Sequence, residues 1–333
     1  MKRLLGLLAA GTLMVACAGQ NGNTTKTQAD TTPIKAPTTF TADADSLFQY
    51  VERQVDLGPR TPGSNAHSVC RELIVTTLNG AGIDSIIKHR AEVTTYQGEK
   101  FIAENILGCI NPNATDRILL VAHYDTRPWA DSDLDESKHN TPIDGANDGA
   151  SGVAVLMEIA RHTAKELPSS LGLDLLFVDM EDSGESGGTD DTESSWCLGT
   201  QEWVKAMPYT NSNRPKFGIL LDMVGGIDAK FHREYFSNKY AKNIVDRVWA
   251  IAREAGYADR FINREGGAVV DDHLPINRAG IPCIDIIENY HPLTRSFNPT
   301  WHTMNDNIAA IDRNTLAIVA QTILNTISSS IKQ

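Results

Sequence analysis

Short apolar runs alternate with longer amphipathic stretches along most of this chain. The runs have the length of buried strands and lie at Asn105–Ile110, Ile118–Ala122, Leu173–Val178, Ile219–Met223 and Ile281–Ile287. The stretches repeat apolar residues at helical spacing and lie at Ser46–Val55, Ser68–Ala81, Ser151–Leu167, Tyr240–Ala255 and Asn314–Ile331. Strands that alternate with helices predict right-handed crossovers. We therefore predict a three-layer α/β/α fold, in which a mixed, mostly parallel central sheet is flanked by helices.

Acidic residues and histidines recur where the apolar runs break into loops. In chain order they are His123 and Asp125, Asp148, Glu181 and Asp182, Asp222, Asp271 and Asp272, and His302. The carboxyl ends of parallel strands meet at one edge of a sheet, where such folds bind ligands. The pattern therefore predicts a metal-centred active site at that edge.

The beginning of the chain has the character of an export signal. A basic start is followed by an apolar stretch at Leu4–Ala16, which is too short to span a bilayer as a permanent helix. The stretch ends at Cys17 and resembles a bacterial lipoprotein signal, whose cysteine carries the lipid of the mature protein. A plain signal peptide with an incidental cysteine is the alternative. We expect residues 1–17 to be this signal and the product to be an exported lipoprotein, anchored by lipid to a periplasm-facing membrane of a Gram-negative bacterium.

The rest of the chain divides by composition. Residues 18–39 are rich in Thr, Asn, Gln and Ala and hold almost no large apolar side chain, so we expect a disordered tether. Residues 40–333 contain no Gly/Pro-rich break and suit one catalytic α/β domain. Nothing in the sequence indicates a partner helix, and we expect a monomer.

The net charge of the chain argues against one class of partner, and its cysteines bear on whether disulfides form. The formal net charge of the 333 residues is -12, without a basic patch, which argues against a nucleic-acid partner. Besides Cys17, four cysteines remain at positions 70, 109, 197 and 283, and four cysteines allow three pairings in a disulfide-permissive compartment. Because Cys109 and Cys283 lie in strand-like apolar runs, buried free thiols are at least as plausible as bridges.

The candidate residues differ in how firmly their surroundings indicate a ligand. His123 and Asp125 are two apart at a strand end and project to the same side. Asp148 lies among small residues at a helix start, where a helix cap is the plainer interpretation. The adjacent Glu181 and Asp182 must diverge, so that one can bind a metal while its neighbour transfers protons.

Two more positions add an uncompensated buried charge and a nitrogen donor. Asp222 lies inside an apolar run, where an ionised carboxylate needs a partner, either a second metal ion or a protonated neighbour. His302 stands beside Trp301, a setting in which packing is the commoner role. Here, however, His302 is the obvious nitrogen donor to complete an Asp, Asp, His ligand set of the kind that zinc accepts.

These residues also carry a resemblance to a known family. The order His-Tyr-Asp, Asp in a Gly-rich loop, acidic pair, Leu-Asp and terminal His is similar to the zinc aminopeptidases of clan MH, the M28 type. Within that family, the segments Asp271-Asp-His273-x-Pro and Trp301-His302-Thr-Met-x-Asp-Asn307 resemble glutaminyl cyclases of the animal type, as does Arg60-Thr-Pro-Gly-Ser64. Combined with the lipoprotein signal, the chain resembles a bacterial cyclase of this kind.

The resemblance implies a reaction and a set of roles. An N-terminal Gln of a peptide or protein would attack its own side-chain amide, releasing ammonia and leaving pyroglutamate. One zinc would be held by Asp148, Asp182 and His302, and Glu181 would move the proton. The remaining implied positions are Asp222 and Asp271, which would share a proton, and Trp301, Phe297 and Trp196, which would form the walls of the substrate pocket. Asp182 departs from the animal cyclases and many peptidases, which have Glu there.

Two other functions use the same residues differently. In a dizinc aminopeptidase, His123 and Asp222 would hold a second zinc, Asp148 would bridge the two ions, and Glu181 would activate water. In a surface lipoprotein without catalytic activity, the pocket would only bind peptides. The number of zinc ions per chain distinguishes the first alternative from a cyclase.

Overall fold

A computed structural model of the chain describes residues 40–187 and 190–331. Its helices are α1 Ala44–Val55, α2 Asn65–Ala81, α3 Ala150–Thr163, α4 Leu198–Trp203, α5 Tyr235–Glu254, α6 His273–Arg278 and α7 Arg313–Ser328. Its strands are β1 Ser85–Thr94, β2 Lys100–Ile110, β3 Asp116–His123, β4 Leu171–Val178, β5 Phe217–Leu221, β6 Phe231–Arg233, β7 Phe261–Glu265 and β8 Cys283–Ile286. Short 3₁₀ helices lie at Glu136–Lys138, Asp190–Ser195 and Ile308–Ala310.

Six strands form the central sheet in the order β1-β2-β4-β3-β5-β8. The β4–β3, β3–β5 and β5–β8 pairs are parallel, whereas β1–β2 and β2–β4 are antiparallel. Strands β4 and β5 are buried along their whole length, as expected for strands covered on both faces. The predicted fold, a mixed and mostly parallel sheet flanked by helices, is confirmed. A separate two-stranded sheet pairs β6 with β7.

Helix α3 lies at the centre of the molecule and packs against the sheet. It is buried from Ala150 to Ala160 and contacts β3, β5, α1 and α7. It is also shorter than predicted, because it ends at Thr163 rather than at Leu167. The loop that leads into this helix carries Asp148, so the packing of α3 fixes how that side chain meets the strand ends.

Other boundaries depart from the sequence prediction for local reasons. Helix α5 has an additional segment that begins at Tyr235, where the Glu234 carboxylate accepts hydrogen bonds from the amides of Phe236 and Ser237, and non-helical backbone at Ala241 (φ -140°, ψ 38°) separates it from the helix predicted from Tyr240. Strand β1 was not predicted. It is an edge strand with mostly exposed or half-buried side chains, and therefore lacks the apolar run that marks the central strands.

Several sequence predictions concern parts of the chain outside the described residues. These are the lipoprotein signal at residues 1–17, with Cys17, and the tether at residues 18–39. Among the described residues, none of the helices combines the length and apolar character needed to cross a bilayer. The four cysteines at positions 70, 109, 197 and 283 are all buried free thiols, which decides between the alternatives left open by the sequence.

Candidate active site

The carboxyl ends of the parallel strands bring the predicted residues together. His123 ends β3, the pair Glu181 and Asp182 follows β4, and Asp222 follows β5. Asp271 precedes α6, Asp148 precedes α3, and His302 lies in the loop before α7. All seven side chains are buried. The sheet therefore assembles residues that lie far apart along the chain into one acidic, water-poor site.

Asp148, Asp182 and His302 form a three-donor cluster. One ligand atom from each lies within 4.8 Å of the other two. His302 Nε2 is 3.2 Å from Asp182 Oδ1 and 3.6 Å from Asp148 Oδ2. Asp182 Oδ2 is buried and has no hydrogen-bond partner. Two carboxylates and an imidazole that converge in this way, with a buried oxygen left over, fit a zinc ion.

The pKa values of the two carboxyls in this cluster move in opposite directions. Burial raises the pKa of Asp182, and the neighbouring charge of Asp148 adds to the effect. Burial acts on Asp148 too, but the hydrogen bond from His123 and the charges of His123 and His302 outweigh it and lower the pKa of Asp148. Asp182 is thus the carboxylate whose negative charge is less well balanced by neighbouring groups. A bound cation would balance that charge.

A second layer of side chains orients His302. Its Nδ1 is 3.4 Å from Asp131 Oδ1, and Asp131 accepts hydrogen bonds of 2.8 Å and 2.6 Å from Arg127 Nε and Nη2. Although burial alone would raise it, these interactions with Arg127 and His302 lower the pKa of Asp131. A carboxylate behind the far nitrogen of a ligating histidine fixes its tautomer and orientation. Asp131 therefore leaves Nε2 of His302 directed into the cluster.

Arg127 is a positioning residue that the sequence analysis did not anticipate. Its guanidinium is fully buried and donates to the carbonyl oxygens of Asp182 and Gly184 at 3.1 Å and 3.2 Å. The same group lies over the rings of Trp129 and Trp196, 4.9 Å and 5.0 Å from their centroids. These bonds hold the loop after β4 close to the cluster, where Asp182, with its shorter side chain, meets His302.

Hydrogen bonds to carboxylates fix the two acidic loops. Asp306 accepts from the amides of Asn147 and Asp148 at 2.8 Å and 3.0 Å. Asp125 accepts from the amides of Glu181 and Asp182 at 3.1 Å and 3.2 Å. Asp125, a candidate ligand from its spacing, thus acts on the site by holding the acidic pair.

Gly149 allows the Asp148 loop to approach the end of β3. Its φ is +96°, in the left-handed region that L side chains rarely adopt. A Cβ at this position would lie 2.9 Å from the carbonyl oxygen of His123 and 3.0 Å from that of Asp125. A larger residue would therefore push Asp148 away from the histidine it contacts.

His123, Asp148 and Asp222 form a second cluster that shares Asp148 with the first. His123 Nε2 lies 3.0 Å from Asp148 Oδ1 and 3.1 Å from Asp222 Oδ1. Burial lowers the pKa of His123, but its interactions with Asp125, Asp148 and Asp222 outweigh burial and raise that pKa well above its ordinary value. The imidazole thus lies between the carboxyls of Asp148 and Asp222.

This pairing bears on the proton that Asp222 and Asp271 were expected to share. The Asp222 side chain hydrogen-bonds His123, with 3.1 Å between Oδ1 and Nε2. The two carboxyls influence one another through charge: after burial, Asp222 is the largest cause of the raised pKa of Asp271. Burial likewise raises the pKa of Asp222 to about 6.

Glu181 forms a separate cluster with Cys197 and Asp271. Its Oε1 lies 3.5 Å from Cys197 Sγ. Burial raises the pKa of Glu181 well above its ordinary value; His123 opposes the effect and the charge of Asp271 adds to it. A buried carboxyl with a raised pKa is suited to accept a proton and to return it.

Four non-glycine residues with left-handed backbone surround the site. They are Met180 (φ 57°), directly before Glu181; Cys197 (φ 55°); Met223 (φ 47°), directly after Asp222; and His302 itself (φ 54°). Such conformations cost about 1–3 kcal/mol each and persist where the surrounding structure imposes them. They turn the chain sharply at the strand ends and so aim neighbouring side chains into the cavity.

An aromatic-walled cavity of about 270 Å³ opens onto the metal cluster and Glu181. The predicted wall residues Trp196, Phe297 and Trp301 all line it. Trp301 stacks on His302 with ring centroids 3.7 Å apart, and Phe297 lies 4.7 Å from Trp301. This volume suits a small side chain and leaves little room for bulk water.

Comparisons with known proteins agree with this architecture. Residues 105–327 match the model of peptidase family M28. A glutaminyl cyclase structure from Bacteroides thetaiotaomicron is 45% identical, with a TM-score of 0.83 over 87% of this chain and 99% of that chain. A Zn-dependent exopeptidase structure from Parabacteroides distasonis is also 45% identical, with a TM-score of 0.82 and the same coverage. The glutaminyl-peptide cyclotransferase of Drosophila melanogaster is 27% identical over 76% of this chain and 72% of its own length. The chain therefore belongs to peptidase family M28, and its structural neighbours include bacterial glutaminyl cyclases.

Proposed function

We propose that this protein is a glutaminyl-peptide cyclotransferase that converts the N-terminal Gln of peptides and proteins to pyroglutamate. The observation that carries the proposal is the buried carboxyl of Glu181, beside a three-donor metal cluster in a cavity the size of one side chain. In the reaction the α-amine nitrogen bonds to the side-chain carbonyl carbon Cδ, and the bond from Cδ to the amide nitrogen breaks. Ammonia leaves and a five-membered lactam remains.

The metal proposed for this site is one zinc ion per chain, held by Asp148, Asp182 and His302. When bound there, zinc would supply Lewis acidity toward the oxygen of the side-chain amide. The chain's own contribution is to hold the donors in place through Arg127 and Asp131. The aromatic walls restrict water, which would otherwise compete with the tethered amine for the amide carbon.

Glu181 is the residue that moves the proton. Its ionised carboxylate accepts a proton from the attacking α-amine and returns it to the nitrogen that leaves as ammonia, so that the reaction balances without another acid. Asp271, which meets Glu181 in one cluster, is placed to hydrogen-bond the amine. Asp222 contributes through His123, whose Nε2 contacts both Asp222 and Asp148.

A dizinc aminopeptidase is the second candidate, because Asp148 faces both clusters as a bridging ligand would. The position of His123 favours one metal. Its Nε2 lies 3.0 Å from Asp148 Oδ1 and 3.1 Å from Asp222 Oδ1, so the three side chains can satisfy one another without an ion. A second zinc would have to displace the proton of these hydrogen bonds.

Replacing His123 by Gln is expected to shift the pH dependence of kcat/KM measured at saturating zinc. The charge of His123 lowers the pKa of Glu181, so its loss raises that pKa further. Because Glu181 must be ionised to accept a proton, activity is lost as the pH falls through its pKa. The acid limb of the pH profile should therefore move to higher pH. His89→Gln, on the edge strand β1, is the matched control, and a fall from two bound zinc ions per chain to one in the His123 variant would support a dizinc site.

Mass spectrometry of a peptide with N-terminal Gln, incubated with the zinc-loaded protein, tests the proposed function. We expect loss of one ammonia with the peptide otherwise intact. Removal of whole N-terminal residues would instead identify an aminopeptidase. An unchanged peptide that remains bound would indicate a peptide-binding lipoprotein.

We also propose the setting in which the reaction takes place. The apolar stretch that ends at Cys17 supports export and lipid anchoring to a periplasm-facing membrane. The acidic net charge of -12 supports peptide rather than nucleic-acid partners. We propose that the protein acts as a monomer, since each element of the site comes from one chain.

A further inference from the structure

A buried carboxylate near the active site is not used by the chemistry described above. Glu234 lies directly before helix α5, and its side chain is wholly buried. A carboxylate in such surroundings is costly unless hydrogen bonds satisfy its oxygens. The partners of Glu234 therefore indicate what the residue does.

Each oxygen of the Glu234 carboxylate has two partners. Oε1 accepts hydrogen bonds from the amides of Phe236 and Val269, at 2.8 Å and 3.1 Å. Oε2 accepts from the amide of Ser237 at 2.5 Å and lies 3.2 Å from His273 Nε2. Although burial raises it, the hydrogen bond with His273 and the two helix amides lower the pKa of Glu234. The group is therefore ionised and can accept all four hydrogen bonds.

Two of these four partners flank Asp271 in the sequence. Val269 precedes Asp271 by two residues, and His273 follows it by two. One carboxylate thus contacts the chain on both sides of Asp271, while its other two contacts cap helix α5. The start of that helix and the segment that carries Asp271 are tied together by a single side chain.

Backbone hydrogen bonds bring the earlier part of the same segment to the start of α5. The amide of Gly266 donates to the carbonyl oxygen of Arg233 at 3.0 Å, and the amide of Tyr235 donates to that of Gly267 at 3.3 Å. From Val269 onward, the contact with the start of α5 continues through the Glu234 side chain. Glu234 is therefore the anchor of the part of the segment nearest to Asp271.

The surroundings of Asp271 explain why this part needs an anchor. Asp271 lines the catalytic cavity and forms one cluster with Glu181. Burial and the charges of Asp222 and Asp272 raise its pKa, so the neighbouring groups disfavour an ionised carboxyl there. Contacts outside the acidic cluster are needed to keep the Asp271 side chain directed into the cavity, and Glu234 supplies them.

We propose that Glu234 is a positioning residue, which anchors the chain on both sides of Asp271 and so fixes the Asp271 carboxyl where the α-amine of the substrate binds. The proposal rests on the proposed cyclase function, in which Asp271 hydrogen-bonds that amine. Glu234 acts through Asp271 and not by contact with the substrate.

Replacing Glu234 by Gln is expected to lower kcat/KM for a Gln-peptide by about 10–100-fold while the zinc content stays unchanged. Gln has nearly the same shape, but its amide nitrogen cannot accept a hydrogen bond, so one pair of the four contacts is lost. A misplacement of about 1 Å in an active site can cost about 100-fold in rate. Ammonia release and the zinc content of the purified variant are the measurements.

A double-mutant cycle distinguishes positioning of Asp271 from a general structural role. In an Asp271→Asn background, Glu234→Gln should change kcat/KM by about twofold or less, because the carboxyl that it positions is already absent. Crystal structures of the zinc-loaded protein with and without Glu234→Gln add a measurement that does not depend on turnover. The Asp271 carboxyl should shift relative to Glu181, whereas the metal ligands should keep their positions.

A second variant separates this role from the capping of α5. His273→Leu removes the contact on one side of Asp271 and leaves the amides of Phe236 and Ser237 bonded to Glu234. It is also expected to lower kcat/KM, and this effect too should disappear in the Asp271→Asn background.

Glu158→Gln is the matched control for the loss of a buried carboxylate. Glu158 lies on α3, is fully buried, and accepts a hydrogen bond from the amide of Asp43 at 2.9 Å. The change should lower the melting temperature, as Glu234→Gln should, but leave kcat/KM at the value of the unmodified protein.

The outcomes separate the positioning role from the reaction. An equal fall of kcat/KM in both backgrounds, an unmoved Asp271 carboxyl, or a similar fall in Glu158→Gln would overturn the role of Glu234 while the cyclase remains. Failure of the unmodified, zinc-loaded protein to release ammonia from a Gln-peptide would overturn the cyclase, and this role with it.

Discussion

Replacing Glu181 by Gln is expected to lower turnover by about 10²–10⁴-fold while the zinc content stays unchanged. Gln has nearly the same shape but cannot accept the proton of the attacking amine. The side chain of Glu181 belongs to the cluster with Cys197 and Asp271, whereas Asp182 belongs to the metal cluster. The experiment combines turnover of a Gln-peptide, followed by ammonia release, with the zinc content of the purified variant.

Glu202→Gln provides the matched control for this change. Glu202 lies on α4 and pairs at the surface with Lys205, so the same chemical change there should leave both turnover and zinc content intact. Loss of zinc from the Glu181 variant would mean that the acidic pair has the opposite assignment, with Glu181 as the ligand.

Replacing His302 by Ala is expected to remove both zinc and activity. The change deletes the nitrogen donor of the cluster and leaves Asp148 and Asp182 close together without it. Loss of a neighbour that only orients a ligand typically lowers metal affinity by about 10–100-fold, and loss of the ligand itself should exceed that range. Competition with a coloured chelator measures the affinity directly.

The matched control for His302 is His89→Ala on strand β1, which should keep full zinc content. Full zinc affinity in the His302 variant would contradict the ligand set and would point to His123 as the nitrogen donor. Because Trp301 stacks on His302, a thermal melt of the metal-free variant should accompany the binding measurement.

The sequence predicted the parts of the fold that rest on strong local patterns. The buried strands β3, β4 and β5 consist of nearly uninterrupted apolar residues, and the acidic residues and histidines stand at their ends. The topology of parallel strands then required these side chains to meet at one edge. For this reason the acidic residues and histidines could be grouped into one site from the sequence, whereas the choice of Asp148, Asp182 and His302 as the ligand set came from the family resemblance.

Other features depend on contacts that no local pattern encodes. In the sequence, Arg127 and Asp131 belong to an ordinary polar segment. Their role becomes visible only in the folded chain, where Arg127 contacts Asp182 and Asp131 contacts His302. Asp306 likewise acts on residues more than 150 positions away. The contact between Asp222 and His123, which the sequence offered only as part of a dizinc alternative, is likewise a product of the folded chain.

The left-handed residues at the site have a consequence for attempts to reduce this protein in size. Met180, Cys197, Met223 and His302 together store roughly 4–12 kcal/mol, taking about 1–3 kcal/mol for each. A whole domain is typically stable by only about 5–15 kcal/mol. Only the packing of the complete sheet and its helices can offset this conformational strain. A shortened fragment that kept every ligand would relax these turns. The smallest unit able to hold this site is therefore close to the entire domain.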